Sequence, residues 1–446
     1  MELKKRFPNL IYILLVIVLL CGCSFDEATS NATSEICAGQ QSAVTEVNTK
    51  EFQSTTGDID ITNLTEEKSQ DTKQEQDVKQ VAEKEQQIAE QELAAKVDAM
   101  VHNMTLREKV GQLFIVRPDA LDMAQNQKQV ISANRYGTTT LTYSMMETLK
   151  KYPVGGIVMF RKNITSPEQL TSFNKALQNA SEIPLFISVD EEGGKVSRLA
   201  NHSAFDVARY KSAATIGSNG DSQEAFEMGQ TIGTYLREYN FNLDFAPVAD
   251  VHTNPNNPVI GTRSFSSDAN TVTQMAGAMA DGLRREGILP VFKHFPGHGD
   301  TAEDSHKGLA TIHKTKEELE ACEWLPFKAA TDEDCIMMGH IVVPSITGDK
   351  IPASLSYDIV TGILRDEMDF QGLIITDSFE MKAIINTYTP GEAAVAAIQA
   401  GNDIILSPNG LQEAFEAVVT AVEDGTITEE RIDESVKRIL RFKSEL

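Results

Sequence analysis

The chain has 446 residues, with 65 acidic against 40 basic side chains and a formal net charge of −25. That balance argues against nucleic acid as a partner, because neutralising phosphates requires clustered Lys and Arg. The length admits two or three average domains, or one α/β barrel with an appendage.

At the N-terminus Lys4, Lys5 and Arg6 precede an apolar run from Leu10 to Leu20. The run is short for a membrane span and suits a secretory signal, although an uncleaved anchor shares the same physics. It closes on Leu20-Cys21-Gly22-Cys23, which resembles the lipobox of bacterial lipoproteins. The resemblance implies cleavage before Cys23, lipid on that thiol, and a protein held on the extracytoplasmic side of a membrane. Cys21 then leaves with the signal over residues 1–23, and Cys37, Cys322 and Cys335 remain, with neither a disulfide framework nor a metal spacing among them. Cys335 opens an apolar run and reads as a buried small side chain.

Residues 24–95 are rich in Glu, Gln, Thr, Ser, Asp and Lys, with Phe25 and Phe52 the only aromatics. Such a segment buries too little apolar surface to offset chain entropy, so it reads as an acidic tether, helical near Val78 to Met100.

Over residues 96–446 the pattern becomes regular. Apolar runs of strand length recur at Gly111 to Val116, Gly155 to Phe160, Pro184 to Val189, Phe241 to Val248, Ile288 to Phe292, Ile336 to Val343, Leu373 to Ile375 and Asp403 to Leu406. Helical spacing fills the gaps, as in Glu224 to Tyr239 and Val272 to Glu286. Eight buried strands alternating with helices predict parallel pairing and a closed (β/α)8 barrel of the TIM type, with an open doubly wound sheet as the competing fold. Strand ends favour the barrel. Asp190, Asp250, Lys293 with His294, His340 and Asp377 all terminate runs, and only closure gathers so many ends on one face.

Lys293-His294-Phe295-Pro296-Gly297-His298-Gly299-Asp300, followed by Asp304-Ser305-His306, concentrates histidines and carboxylates in a chain with eight histidines in all. One reading is a metal site built from His294, His298, Asp300, Asp304 and His306, but Lys293 opposes a cation and no helical His spacing or Cys partner is present. The other reading is proton transfer: Asp304, two positions from His306, orients its imidazole and favours the protonated form. Asp377 ends a nearly continuous apolar strand, where an acid is costly unless paired or solvated in a cleft. In Asp190-Glu191-Glu192-Gly193-Gly194-Lys195-Val196-Ser197-Arg198 the paired glycines predict a tight turn that brings backbone close to a ligand, with Arg198 free to clamp a carboxylate. Trp324, the only tryptophan, falls in the helical-looking segment Glu317 to Ala330 and reads as packing rather than as a sugar platform.

These motifs, with Ala246-Pro247-Val248-Ala249-Asp250, Ile260-Gly261-Thr262-Arg263-Ser264-Phe265 and Ile375-Thr376-Asp377-Ser378-Phe379-Glu380-Met381, stand in an order that resembles glycoside hydrolase family 3, in its β-N-acetylglucosaminidase branch. The resemblance runs from about Met104 to the C-terminus. It implies a barrel that removes terminal β-linked N-acetylglucosamine with retention, without a cofactor or metal, acting as a monomer on an amino-sugar glycoside such as a peptidoglycan fragment. It places Asp377 as the nucleophile, His306 paired with Asp304 as the general acid/base, and Asp190, Arg198, Arg263, Lys293 and His294 on the sugar. Asp250 and His340 fall near the same face. Lys293 and Arg263, if near Asp377, would keep it ionised. Lys195 departs from the Arg often found at its place, and the chain's end soon after the eighth helix leads to the expectation that every catalytic position comes from the barrel. Three alternatives stay open: a β-glucosidase or broader exo-β-glycosidase of the same fold, a metal-dependent barrel hydrolase, and a sugar-binding lipoprotein without activity. A histidine acid/base also leaves room for phosphate, so phosphorolysis stands beside hydrolysis.

Overall fold

The structure, a computed structural model, describes residues 81, 84–133, 136–304, 308–348 and 350–444. The predicted signal sequence, Cys21, Cys23, Cys37, most of the predicted tether, and Ser305, His306 and Lys307 lie outside the described residues.

Eight short strands form one ring: β1 (Phe114–Val116), β2 (Gly156–Met159), β3 (Phe186–Val189), β6 (Leu243–Asp244), β7 (Leu289–Phe295), β9 (Cys335–Met338), β11 (Leu373–Thr376) and β12 (Ile405–Leu406). Every neighbouring pair is parallel, and the ring closes where Ile375 bridges Ile404. Closure removes the open-sheet alternative. Each predicted apolar run contributes its strand, but the first is shorter than expected because Gly111 and Gln112 finish the helix Leu106–Gln112. That helix starts on a capping box, in which Thr105 and Glu108 satisfy each other's backbone donors.

The remaining strands lie outside the ring. Glu191–Gly193 (β4) and Val196–Ser197 (β5) form an antiparallel hairpin directly after β3, and Ala310–Thr311 (β8) pairs with Ile341–Val342 (β10).

Ring strands are buried on both faces, as a barrel between a packed interior and a helical coat requires. In that coat the helices Ser222–Glu238 and Ala269–Arg285 approach until backbones touch. A Cβ on Gly229 would lie 2.1 Å from the Met279 carbonyl oxygen, and one on Gly282 would lie 2.2 Å from that of Phe226. Any larger residue at either place would push the two helices apart.

The helix predicted near Val78 to Met100 is present over residues 84–103, and its Val97 and Val101 are buried in the core, so this stretch is more than a spacer. Residues Glu317 to Ala330 are not one helix: Lys316–Ala321 ends before a 3-10 turn at Leu325–Ala329, with Pro326 in its first turn. Trp324 is core, 1% exposed and packed 5.8 Å from the ring of Phe295. Cys335 is buried in β9 with burial pushing its thiol up, and Met337 and Met338 are buried beside it. Among the described residues no helix is long and apolar enough to cross a membrane.

The closing seam is pinned by a buried charge network. Asp403 accepts from the Ile374 amide at 3.0 Å, from Ser435 Oγ at 2.6 Å and from the Arg365 guanidinium at 2.5 Å, while Arg365 also donates to the carbonyls of Phe370 and Gly372. Burial opposes the charge of Asp403, but Arg365 outweighs it and holds the carboxyl below its ordinary value. Asp403→Asn would leave the buried guanidinium without its countercharge and should lower unfolding free energy by about 3 kcal/mol in urea denaturation near neutral pH. Because the folded pKa is depressed, this contribution is present above the ordinary carboxylate range and is lost as pH falls below it, so variant and wild type should converge in acid.

Candidate active site

Strands β1, β2, β3, β7 and β11 end on one face of the barrel, and residues at or just past those ends line a cavity of about 520 Å³. Arg117 and Phe160 follow β1 and β2. Asp190 follows β3, Lys293 and His294 sit near the end of β7, and Asp377 follows β11. Glu192, Arg198, Arg263, Ser378, Glu380 and Lys382 complete the polar wall, and Val158, Phe245, Met337 and Leu406 are among the apolar lining residues.

The buried lysine organises the polar side. Lys293 Nζ lies 2.9 Å from Asp190 and 2.6 Å from Glu192; Arg198 meets the other oxygen of Asp190 at 2.8 Å, and Arg263 holds Glu192 through two bonds of 2.7 and 2.8 Å. Burial works against ionising Asp190, yet the charges of Lys293 and Arg198 outweigh it and hold its carboxyl well below the usual range. Glu192 follows the same logic: burial opposes its charge, Arg263 and Lys293 override it, and its pKa falls to about 2. Lys293, also opposed by burial, is held charged by Glu192 and Asp190. Near neutral pH the wall is therefore a fixed lattice of charges, able to hold polar ligand groups through charge-assisted hydrogen bonds.

Hairpin alternation sorts the three consecutive acids. Asp190 and Glu192 face the cavity, whereas Glu191 turns away, where it accepts from the amides of Arg198, Leu199 and Ala200 and from Tyr235 Oη. Gly193 and Gly194, with φ of 78° and 74°, make the predicted tight turn. The close approach is to protein rather than ligand, since a Cβ on Gly193 would meet Met228 and one on Gly194 would meet Ser212 and Lys211.

The histidines divide by partner. His294 Nδ1 lies 2.7 Å from Asp250 Oδ2, and Asp250 Oδ1 accepts from the amides of both His294 and His298. Asp250 thus orients His294 from behind. His298 is buried with Nδ1 2.8 Å from Thr301 Oγ1. His340 lies 2.8 Å from Ser354 Oγ and 3.0 Å from the Ser378 carbonyl, so it donates from Nε2 and steadies the turn that carries Asp377. The Ser378 amide donates to Asp377 Oδ1 at 2.7 Å. Asp304 is described and half-buried, but His306 lies outside the described residues. Among the described residues no group of three or more His, Cys, Asp and Glu side chains is arranged to hold a metal ion.

Lys293 and Arg263 line the same cavity as Asp377, and their ion pairs are with Asp190 and Glu192, because the β4 hairpin brings Glu192 between them. Glu192 itself was not among the expected site residues, although period-two alternation from Asp190 signals it. Phe160 was also missed. The Arg117 guanidinium lies 3.5 Å from its ring centroid and pairs with Glu380 at 2.5 Å, forming a flat cation-aromatic wall between elements distant in sequence.

Residues 105–442 match the family described as glycosyl hydrolase family 3 N terminal domain. The chain belongs to glycosyl hydrolase family 3. It is 34% identical to β-hexosaminidase A of Pseudoalteromonas piscicida over 340 residues, 70% of this chain and 57% of that protein. To β-hexosaminidase LpqI of Mycobacterium tuberculosis it is 36% identical over 305 residues, 66% of this chain and 76% of the relative. The match thus spans little more than half the length of the first relative. Among solved structures, a family 3 β-N-acetylglucosaminidase from Paenibacillus sp. superposes with a TM-score of 0.69 at 36% identity, covering 77% of this chain and 62% of that one. A family 3 glycosyl hydrolase from Mycobacterium smegmatis superposes with a TM-score of 0.65 at 31% identity, covering 76% and 97%.

Burial, reinforced by the charge of His294, lowers the pKa of His298 from 6.5 to about 4, so the folded protein holds this ring neutral. As pH falls the unfolded chain takes up the proton first; stability is complete above 6.5 and is withdrawn between 6.5 and about 4. His298→Asn removes that dependence. Urea unfolding should show wild type losing about 2 kcal/mol more than the variant between about pH 7 and about pH 5.

Proposed function

We propose that the protein is a retaining exo-β-N-acetylglucosaminidase that hydrolyses terminal non-reducing β-linked N-acetylglucosamine, with peptidoglycan fragments as its source. The observation that carries this reading is the cavity at the strand ends, where the charge-locked pair Asp190 and Lys293 shares a wall with Asp377. Relatives named β-hexosaminidase favour the acetamido sugar over glucose.

In this reading Asp190 accepts hydrogen bonds from sugar hydroxyls, fixed in its ionised form by Lys293 and Arg198, and His294 adds a further polar contact. Arg263 acts on the sugar pocket through Glu192 as well as directly. Asp377 attacks the anomeric carbon and forms the glycosyl-enzyme bond as the leaving oxygen departs. His306, oriented by Asp304, gives that oxygen its proton. It then takes a proton from the incoming water, which displaces Asp377 and restores the same anomer. A histidine suits both steps because its unperturbed pKa lies near neutrality, whereas a carboxylic acid must be pushed upward to remain protonated.

Asp377→Asn and His306→Ala should each lower kcat on an aryl N-acetyl-β-glucosaminide by about 1,000-fold or more while the circular dichroism spectrum is unchanged. Full activity in both variants would overturn the assignment. Proton NMR of the first-formed sugar should show the β anomer, and a chelator should leave the rate unaltered.

The lipobox resemblance supports export and attachment through Cys23 on the extracytoplasmic side, with the protein acting as a monomer. In a bacterial host, wild type should sediment with membranes and incorporate labelled fatty acid, and Cys23→Ala should lose the label and keep the same specific activity.

A further inference from the structure

Asp300 and Lys314 bracket the span of chain that carries Asp304 and His306. Each end is fastened to a different part of the barrel. At the leading end Asn257 donates to the carbonyls of His298 and Thr301 at 2.8 and 2.9 Å, and Asn254 to those of Asp300 and Thr301 at 3.3 and 3.2 Å, so the connection after β6 holds it. At the trailing end β8 pairs with β10, the Ile312 amide donates to the Val342 carbonyl at 2.9 Å, and Ser345 Oγ donates to the Lys314 carbonyl at 2.6 Å. The connection after β9 holds that one.

One ammonium joins the two ends. Lys314 Nζ lies 3.2 Å from Asp300 Oδ1 and also pairs with Glu323 Oε1, and Thr253 Oγ1 lies 3.2 Å from each of the same two oxygens. Glu323 is 0% exposed and backs onto the chain just before Asp300: a Cβ on Gly297 would lie 2.7 Å from Glu323 Cβ. Lys314 is the one cation paired with this carboxylate among the described residues. A buried carboxylate is costly without its countercharge, so Glu323 fixes where Lys314 stands, and Lys314 in turn holds Asp300. Burial works against the charge of Lys314, but its contacts with Glu323 and Asp300 outweigh that and hold its pKa above the ordinary value. None of these four residues lines the strand-end cavity, so an effect on catalysis has to pass through the chain they bracket.

We propose that Asp300, Lys314 and Glu323 form a clasp that positions the proton-transfer pair Asp304 and His306, with Glu323 as its buried anchor. The inference rests on the glycosidase reading above, in which His306 moves the protons, and adds to it the residues that set where that pair stands. All three are positioning residues and exchange no proton with substrate. A clasp that served stability alone would slow hydrolysis of every substrate alike. One that positions the acid acts selectively, because a leaving group that departs readily as its anion needs little protonation and a poor one depends on it.

The test compares dinitrophenyl and phenyl N-acetyl-β-glucosaminides as substrates of the full chain. Asp300→Ala should lower kcat/KM for the phenyl glycoside about 30-fold and for the dinitrophenyl glycoside less than about threefold, the scale expected when a general acid is displaced by about an ångström. Lys314→Gln should reproduce that pattern, and Lys314→Arg, which keeps the charge, should recover most of the wild-type rate. In a His306→Ala background Asp300→Ala should have no further effect on the phenyl glycoside, since the group it positions is already gone. If Asp300→Ala does not fold, Asp300→Asn, which keeps the shape and removes the charge, carries the same comparison. Equal effects on the two glycosides, or a full effect of the Asp300 substitution without His306, overturn the inference and leave the functional reading standing. A His306→Ala variant that cleaves the phenyl glycoside at the wild-type rate overturns the functional reading and the inference with it.

Discussion

One buried ammonium group, Lys293 Nζ, holds the candidate site together. It comes from β7 and contacts two carboxylates from the β3 to β4 connection, Asp190 and Glu192, each of which also binds an arginine. Three charges in a space of low polarisability are stable only if each has its counterpart in place. The consequence reaches beyond energy. Because the charged groups of the lattice hold one another in place, the cavity wall is set before any ligand arrives.

The barrel makes that lattice possible. Lys293 and Asp190 are 103 residues apart, and Arg263 meets Glu192 across 71 positions. Parallel strands bring their C-terminal ends to one rim, so residues placed at equivalent ends become neighbours whatever their distance along the chain. Behind the rim a second set of contacts holds the first. Asp250 sets the His294 ring, His340 steadies the turn after β11, and Glu191 gathers the amides of residues 198–200 so that Arg198 points at Asp190. These residues shape the cavity without lining it, although Asp250 and His340 stand at strand ends on the same face.

Charge sign divides the surface around the site as well. The strand-end cavity balances cations against carboxylates, whereas an adjoining space of about 780 Å³ is lined by Arg117, Arg161, Lys162 and Arg198 with no acid among its lining residues. Phe160, with Arg117 against one face, is the partition between them. A single strand end, at β2, therefore contributes to both compartments.

Much of the fold was legible because its signal is local. Eight apolar runs separated by helical spacing require strands buried on both faces, and the only compact arrangement that also gathers Asp190, Lys293, His294 and Asp377 is a closed ring. Trp324 and Cys335 could be assigned to the core from their apolar neighbours. The sequence by itself determined the strands, the family motifs and the identities of the residues at the rim. It could not decide partners. Whether Lys293 pairs with Glu192, whether Gly193 packs on the helix that carries Met228, and whether Phe160 joins the cavity wall all depend on how a short hairpin and several strand ends pack in three dimensions. Such pairings are set by distances between segments far apart in the chain, and only the tertiary structure fixes those distances.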